Sequence, residues 1–127
     1  MILLDTSVLI EYFRLKDKKN SFFYHLTASK EELAISVIVH YEIYSGSNKI
    51  QDKFWDELLN EVSINPFDVS CSKEAVKIYK ELKVKNKLIE LADIAVAATA
   101  IAHNISLATL NKKHFERVKG LKLIERK

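Results

Sequence analysis

The stretch that decides the fold is ILLDTSVLIEYF, residues 2–13. The three aliphatic residues before Asp5 form a continuous apolar run, which is typical of a strand buried on both faces of a parallel sheet. Thr6 or Ser7 then offers a hydroxyl that can cap a helix running through Phe13. A carboxylate between a buried strand and a helix costs free energy unless something pairs with it. Asp5 is therefore the first candidate for a functional site.

The rest of the chain repeats this alternation of strand and helix. Strands are predicted at residues 33–37, 106–109 and 121–124, and helices at 21–29, 38–44, 50–62, 72–84, 91–103 and 112–118, with SINPF (63–67) as a brief extended link. Strands that alternate with helices are typical of an α/β domain with a mainly parallel sheet and helices on both faces. We expect residues 1–127 to form a single domain, because Gly and Pro are too few to make a linker.

Composition narrows the class of protein. The formal net charge of +3 is compatible with a polyanionic partner. Cys71 is the only cysteine, so no intrachain disulfide can form, and a reducing cytoplasm is the expected location. The strand predicted directly after Met1 leaves no room for a signal peptide. No apolar run approaches the roughly 20 residues that a membrane span needs, so we expect no membrane association.

Three acids occupy positions that the pattern assigns to buried or half-buried surroundings. Asp5 follows the first strand, Glu42 lies in the apolar helix after the second strand, and Asp93 lies near the start of LADIAVAATAIA. Ligands of open α/β sheets bind beyond the carboxyl ends of the strands. Acids that converge there would repel one another and have raised pKa values. A divalent cation with a preference for oxygen ligands, such as Mg²⁺ or Mn²⁺, would neutralise them.

Each acid also has a simpler interpretation when it is taken alone. Asp5 could cap the following helix, Glu42 could be a surface residue, and Asp93 could be a first-turn acid that the helix dipole favours. Only the combination of the three favours a metal site.

Four segments carry a family resemblance: LLDTSVLIEYF (3–13), AISVIVHYEIYSG (34–46), LADIAVAATAIAHN (91–104) and LATLNKKHFERVKGL (107–121). In this order and spacing they resemble the PIN domain family, and more narrowly the VapC-type toxins of toxin–antitoxin pairs. The match runs from Ile2 to about Ile124. The resemblance implies a five-stranded parallel sheet and an acidic pocket that holds Mg²⁺ or Mn²⁺. It also implies endoribonuclease activity by metal-activated water, a homodimer, and silencing by a VapB-like antitoxin.

The resemblance also assigns roles to residues. Asp5, Glu42 and Asp93 match the first three acids of the family, and Thr6 matches the hydroxyl residue that supports the site. The fourth acid is missing, because the corresponding stretch is NKKH, residues 111–114. Asn111 can offer an amide oxygen to the metal, directly or through water.

His114, the other end of that stretch, has three interpretations. It can contact phosphate, donate a proton, or pack at the base of the short helix.

Basic residues would bind the RNA backbone through its phosphates. The candidates are Arg14 and Lys16 after the first helix, and Lys112 and Lys113 beside Asn111. The lysine-rich stretch 73–87 is a third candidate, although the solvated face of an amphipathic helix also explains it.

Aromatic residues have two interpretations. Tyr12, Tyr41 and Tyr44 can stack on bases, but core or dimer packing is the favoured interpretation. Phe22, Phe23, Tyr24 and Trp55 offer apolar surface for a second subunit or an antitoxin, or else belong to the core.

Other functions remain to be compared with this one. A PIN domain that has lost its catalytic ability, and serves as a partner-binding or regulatory module, would explain the missing acid. The two glycines exclude a GxGxxG nucleotide loop. Asp5 lacks the second Asp two residues on that a phosphatase with an aspartate nucleophile usually needs. Nucleophilic chemistry at Cys71 is also unsupported, because nothing in the sequence identifies a histidine partner for it.

Overall fold

The computed structural model describes residues 1–126. The strands are β1 (Ile2–Leu4), β2 (Leu33–Ser36), β3 (Ser63–Asn65), β4 (Ser106–Ala108) and β5 (Leu123–Ile124). The helices are α1 (Thr6–Arg14), α2 (Phe22–Thr27), α3 (Val37–Ser45), α4 (Lys49–Leu59), α5 (Val69–Val84), α6 (Leu91–Ala102) and α7 (Lys112–Phe115), and a short 3₁₀ helix covers Lys18–Asn20. The predicted α/β class with a five-stranded parallel sheet flanked by helices is confirmed.

The sheet places β1 at its centre, in the order β3-β2-β1-β4-β5 with every neighbouring pair parallel. Leu3 pairs with Ala34 of β2 on one side and with Leu107 of β4 on the other. The aliphatic residues of β1 are all buried, as expected for the central strand. Because the strands are parallel, the ends of β1, β2 and β4 meet at one edge of the sheet. Asp5 and Thr109 follow β1 and β4 there.

Helix α6 is the most deeply buried helix, with every residue from Ile94 to Ala100 buried. Alanines on this helix let its neighbours approach closely. The one buried hydroxyl in this run, on Thr99, donates to the carbonyl of Ala95, so it has a hydrogen-bond partner. Helix α5 packs along α6. The first turn of α6, which carries Asp93, is thereby held against the sheet edge by a rigid element.

Several predicted elements differ from the structure. Helix α4 ends at Leu59 and not at residue 62, and α5 begins at Val69 and not at residue 72. The stretch SINPF contains the edge strand β3, whose three residues are only half-buried or exposed. The predicted helix from Lys112 to Val118 ends at Phe115, and Gly120 adopts a φ of +85° in the turn that follows.

The aromatic residues divide between core and surface. Phe22, Phe23 and Trp55 are buried, so the core interpretation holds for them, whereas Tyr24 is 44% exposed. Tyr41 is 71% exposed, so it is not a core residue.

None of the helices within residues 1–126 is long and apolar enough to cross a membrane.

Candidate active site

Asp5 lies at the centre of the site, where it is 2% exposed. It occupies the residue before α1, but its side chain makes no capping hydrogen bond, so the cap interpretation is wrong. Its Oδ2 instead accepts hydrogen bonds from the hydroxyls of Ser7 (2.7 Å) and Thr109 (2.8 Å). The buried carboxylate is thus held by two neutral donors, which orient it without neutralising its charge.

The two hydroxyl residues join the ends of β1 and β4. The backbone N–H of Leu110 donates to Ser7 Oγ (3.0 Å), and that of Asn111 donates to Thr109 Oγ1 (2.9 Å). The sequence predicts only a possible capping role for Ser7, and it places Thr109 at the carboxyl end of a strand without assigning it a partner. The available signal was the pair of hydroxyl residues that follow the apolar runs of β1 and β4.

Glu42 reaches the same region from α3. Its Oε1 accepts a hydrogen bond of 2.9 Å from the hydroxyl of Thr6, in the first turn of α1. Thr6 therefore orients an acid, although the acid is Glu42 and not the neighbouring Asp5. Glu42 is half-buried, so its interpretation as an ordinary surface residue does not hold.

Asp93 is the acid whose environment is most unfavourable to charge. Burial, followed by the negative charge of Asp5, raises the pKa of Asp93 to about 6, and the charge of Glu42 adds to the effect. The structure thus brings the three predicted acids near enough to interact electrostatically. A helix dipole at the first turn would lower the pKa of Asp93, so the simple interpretation of this acid as a dipole partner does not explain its surroundings.

His114 lies beside Asp93, with Nδ1 of the histidine 3.5 Å from Oδ2 of the aspartate. The side chain of His114 is 50% exposed. His114 is therefore not buried beneath α7, whereas the following residue, Phe115, is fully buried. Asn111 is exposed and precedes α7 without capping it through its side chain. Its amide is therefore not used in holding the helix.

The donor set fits a divalent cation with a preference for oxygen. Carboxylates of Asp5, Glu42 and Asp93 supply only oxygen atoms, which Mg²⁺ and Mn²⁺ prefer. Burial first, and then the negative charges of Asp5 and Glu42, raise the pKa of Asp93, so a bound cation would relieve the cost of its charge. The three acids do not form a tight group of donor atoms, which is the arrangement expected of acids that repel one another.

A tighter group of metal-ligand atoms lies outside the pocket of the three acids. Within residues 1–126, the one set of three His, Cys, Asp or Glu donors whose ligand atoms all lie within 4.8 Å of one another is Asp68, Cys71 and His103. The Nε2 atom of His103 lies 3.5 Å from the sulfur of Cys71, so the structure supplies a histidine neighbour that the sequence did not identify. Burial raises the pKa of this thiol, which disfavours a thiolate nucleophile.

The predicted RNA-binding residues fall in two places. Arg14 lies at the end of α1 opposite Asp5, about 14 Å along the helix axis at 1.5 Å per residue, and Lys16 follows it. The structure does not bring these two to the acids. Lys112 and Lys113 begin α7 beside the site, but Lys112 forms an ion pair of 2.7 Å with Glu125.

Comparison with known proteins gives the same assignment along nearly the whole chain. The family model of the PIN domain matches residues 2–121. Ribonuclease VapC1 of Methanocaldococcus jannaschii is 38% identical over 135 aligned positions, which cover 98% of this chain and 88% of that protein. Ribonuclease VapC10 of Mycobacterium tuberculosis is 30% identical, covering 96% and 91%.

A solved structure is similar over its full length. The crystal structure of VapBC2 from Rickettsia felis bound to a promoter DNA fragment contains a chain that superimposes with a TM-score of 0.86 at 29% identity, with 100% of both chains covered. The resemblance noted in the sequence is therefore confirmed: the chain belongs to the PIN domain family, among the VapC ribonucleases.

Proposed function

We propose that this protein is a divalent-metal-dependent endoribonuclease and the toxin of a VapBC-type pair. The observation that carries the proposal is the pocket of Asp5, Glu42 and Asp93, in which burial and mutual repulsion raise the pKa of Asp93 to about 6. Relatives named ribonucleases match nearly the whole chain. An unbalanced cluster of carboxylates at the carboxyl edge of the sheet is suited to hold Mg²⁺ or Mn²⁺ against a phosphodiester.

The roles of the side chains follow from their contacts. Asp5, Glu42 and Asp93 hold the cation, with Asn111 contributing its amide oxygen directly or through water. When bound, a divalent cation lowers the pKa of water and stabilises negative charge that develops at phosphorus. Thr6 fixes the orientation of Glu42 through its 2.9 Å hydrogen bond.

Asp5 is held in turn by the hydroxyls of Ser7 and Thr109. One of the three acids accepts a proton from the attacking water. His114, 3.5 Å from Asp93 and half exposed, is placed to donate a proton or to contact a phosphate. Lys112 and Lys113 contact the RNA backbone near the cut, and Arg14 and Lys16 contact it farther away.

The partners proposed for the protein follow from its neighbours. The structure from Rickettsia felis is of a VapBC complex, and we infer a VapB-like antitoxin for this chain as well. We also propose that the protein forms a homodimer and acts in the cytoplasm. Tyr41, 71% exposed on the helix that carries Glu42, is an apolar residue available to such a contact.

The alternative, a partner-binding module without catalysis, is not favoured. Such a module has no need for buried acids that repel one another, and the hydroxyl network around Asp5 is intact. Replacement of the fourth acid by Asn111 and His114 leaves three carboxylates, which is enough to hold one cation.

The direct test compares RNA cleavage by the wild type, Asp5→Asn and Asp93→Asn, with Mg²⁺ and with EDTA. We expect each variant to lose at least about 100-fold in cleavage, since even outer partners of metal ligands contribute about 10–100-fold. EDTA should abolish wild-type cleavage. Asp68→Asn is the matched control, because Asp68 also precedes a helix but lies outside the pocket. Equal cleavage by all four proteins would refute the proposal.

A further inference from the structure

Two surface cavities lie side by side along α7. One, of about 610 Å³, is lined by Asn111, Lys112 and His114 at the beginning of the helix. The other, of about 570 Å³, lies between α7 and the turn that follows α5. Lys113 and Glu116 line both cavities, so the two are adjacent. We call the two cavities together the α7 groove.

The groove is strongly basic at its far end. Lys85, Lys87, Lys113 and Arg117 line the second cavity, and Glu116 is the one acid among its lining residues within the described chain. All four cations are exposed. The guanidinium of Arg117 donates to the carbonyls of Lys87 and Leu88, both at 3.5 Å, and so connects the two walls.

The near end of the groove lies beside the acid pocket, at His114. His114 lines the first cavity and lies 3.5 Å from Asp93. The turn that forms the other wall, residues 85–90, runs directly into α6, whose first turn carries Asp93. Both walls of the groove are therefore continuous in sequence with residues beside the pocket. An extended ligand that leaves the pocket along α7 passes these cations.

We propose that the α7 groove binds the sugar–phosphate backbone of single-stranded RNA next to the bond that is cut, with Lys85, Lys87, Lys113 and Arg117 as phosphate contacts. This inference rests on the proposed function, and it extends the RNA-binding surface to three residues beyond Lys112 and Lys113. It also separates Lys85 and Lys87 from the other lysines of the stretch 73–87, whose exposed positions on α5 fit the interpretation as a solvated helix face.

The lining also indicates how the RNA is recognised. Among the described residues no Phe, Tyr or Trp lines either cavity, and the imidazole of His114 is the one aromatic ring, at the near end beside the acid pocket. The basic far end therefore has no aromatic ring on which bases could stack. Phosphate contacts position a nucleic acid without reading its sequence. Aromatic anchors are likewise the usual centres of protein interfaces, so a groove of cations without them suits RNA better than an acidic segment of a protein.

The test is the salt dependence of binding to a single-stranded RNA oligonucleotide, measured in EDTA, with the length of the RNA checked after each titration. Lys85→Ala combined with Lys87→Ala is compared with Lys73→Ala combined with Lys80→Ala, which removes the same charge from exposed positions of α5. Each lost phosphate contact lowers the slope of log K against log salt by about 0.7. We expect the groove variant to lose about 1.4 in slope and the control to lose nothing.

A second variant, Lys87→Gln, keeps the result interpretable if the double variant is unstable. It should lose about half as much of the slope of log K against log salt as the double variant does. In steady-state cleavage with Mg²⁺, the groove variant should raise KM and leave kcat unchanged. Binding that changes as expected without any cleavage would refute the proposed function and leave the groove standing. If RNA is cleaved but the slope of log K against log salt is the same in the groove and control variants, the proposal for the α7 groove is refuted and the proposed function stands. Unchanged RNA binding with weakened binding of polyglutamate would assign the groove to an acidic protein partner instead.

Discussion

Two aspartates at the beginnings of helices, Asp68 and Asp93, have opposite surroundings. Asp68 precedes α5, and its Oδ1 accepts hydrogen bonds from the hydroxyl of Ser70 (2.7 Å) and the backbone N–H of Cys71 (3.1 Å). These bonds, that of Ser70 first, lower the pKa of Asp68 to about 2. In the first turn of α6, burial and then the charge of Asp5 raise the pKa of Asp93 to about 6.

The difference separates an acid that caps a helix from the acid to which we assign a role in metal binding. Asp68 is satisfied by its own helix and needs nothing further. Asp93 keeps a charge that its neighbours disfavour, and an added cation would relieve it. Asp68, Cys71 and His103 have the more compact donor atoms, yet the acid pocket has the unbalanced charge. Charge balance is therefore our reason for proposing the metal site at the acid pocket and not at the more compact group.

Metal binding gives the largest expected difference between the two regions. Mg²⁺ at about 100 times its Kd should raise the free energy of unfolding of the wild type by about 2.7 kcal/mol. Asp68→Asn should show the same increase, whereas Asp93→Asn should show little. Chemical denaturation with and without Mg²⁺ measures this effect. The comparison fails if Mg²⁺ stabilises Asp93→Asn as much as the wild type.

The pH dependence of the metal-free protein should distinguish the same two acids. The pKa of Asp93 in the folded protein, about 6, lies above the ordinary aspartate value of 3.8. Its contribution to stability is therefore fully present below about pH 4 and is lost as the pH rises through 6. In EDTA at pH 7, Asp93→Asn should be more stable than the wild type by about 1–3 kcal/mol, at 1.36 kcal/mol per pKa unit.

Asp68 provides the control, because its pKa shift has the opposite sign. Its contribution is present above the ordinary aspartate pKa of 3.8 and is lost as the pH falls through about 2. Asp68→Asn should therefore lose stability at pH 7, where Asp93→Asn gains it. Denaturant titrations from pH 3 to pH 8 measure both effects, and a wild-type stability that rises between pH 4 and pH 7 relative to Asp93→Asn would contradict the assignment.

Two of the three acids stand out in the sequence because each interrupts a strong local pattern. Asp5 interrupts the transition from a buried strand to a helix, and Asp93 interrupts an alanine-rich helix. The edge strand β3 was predicted only as an extended link, since its half-exposed residues lack the continuous apolar run of a central strand.

Contacts across long separations could not be predicted. Thr109 is 104 positions from Asp5, and His103 is 32 positions from Cys71. Such pairs depend on which strands and helices become neighbours, and periodicity in a single sequence does not contain that information. The resemblance to a family supplied the grouping of the three acids, but it assigned no partner to Asp5.

A matched pair of serines gives the smallest expected effect and the finest comparison. Ser7 Oγ donates to Asp5 at 2.7 Å, and Ser70 Oγ donates to Asp68 at the same distance. Ser7→Ala should lower RNA cleavage by about 10-fold, because outer partners of metal ligands contribute about 10–100-fold. Ser70→Ala should leave cleavage unchanged and lower the melting temperature slightly, because it weakens only a helix cap.

Ser7 also accepts the backbone N–H of Leu110, so its loss could act through the loop after β4 instead of through Asp5. Ser7→Thr keeps the hydroxyl and should restore most of the cleavage. Thr109→Val removes the second donor to Asp5 together with the acceptor of the Asn111 N–H, whereas Thr109→Ser keeps both hydrogen bonds and should retain cleavage. Equal losses in Ser7→Ala and Thr109→Val assign the effect to the hydroxyl network that joins Asp5 to the loop after β4. If Ser7→Ala and Ser70→Ala affect cleavage equally, hydrogen bonds to Asp5 have no special role, and the contrast between the two regions does not extend to these hydroxyls.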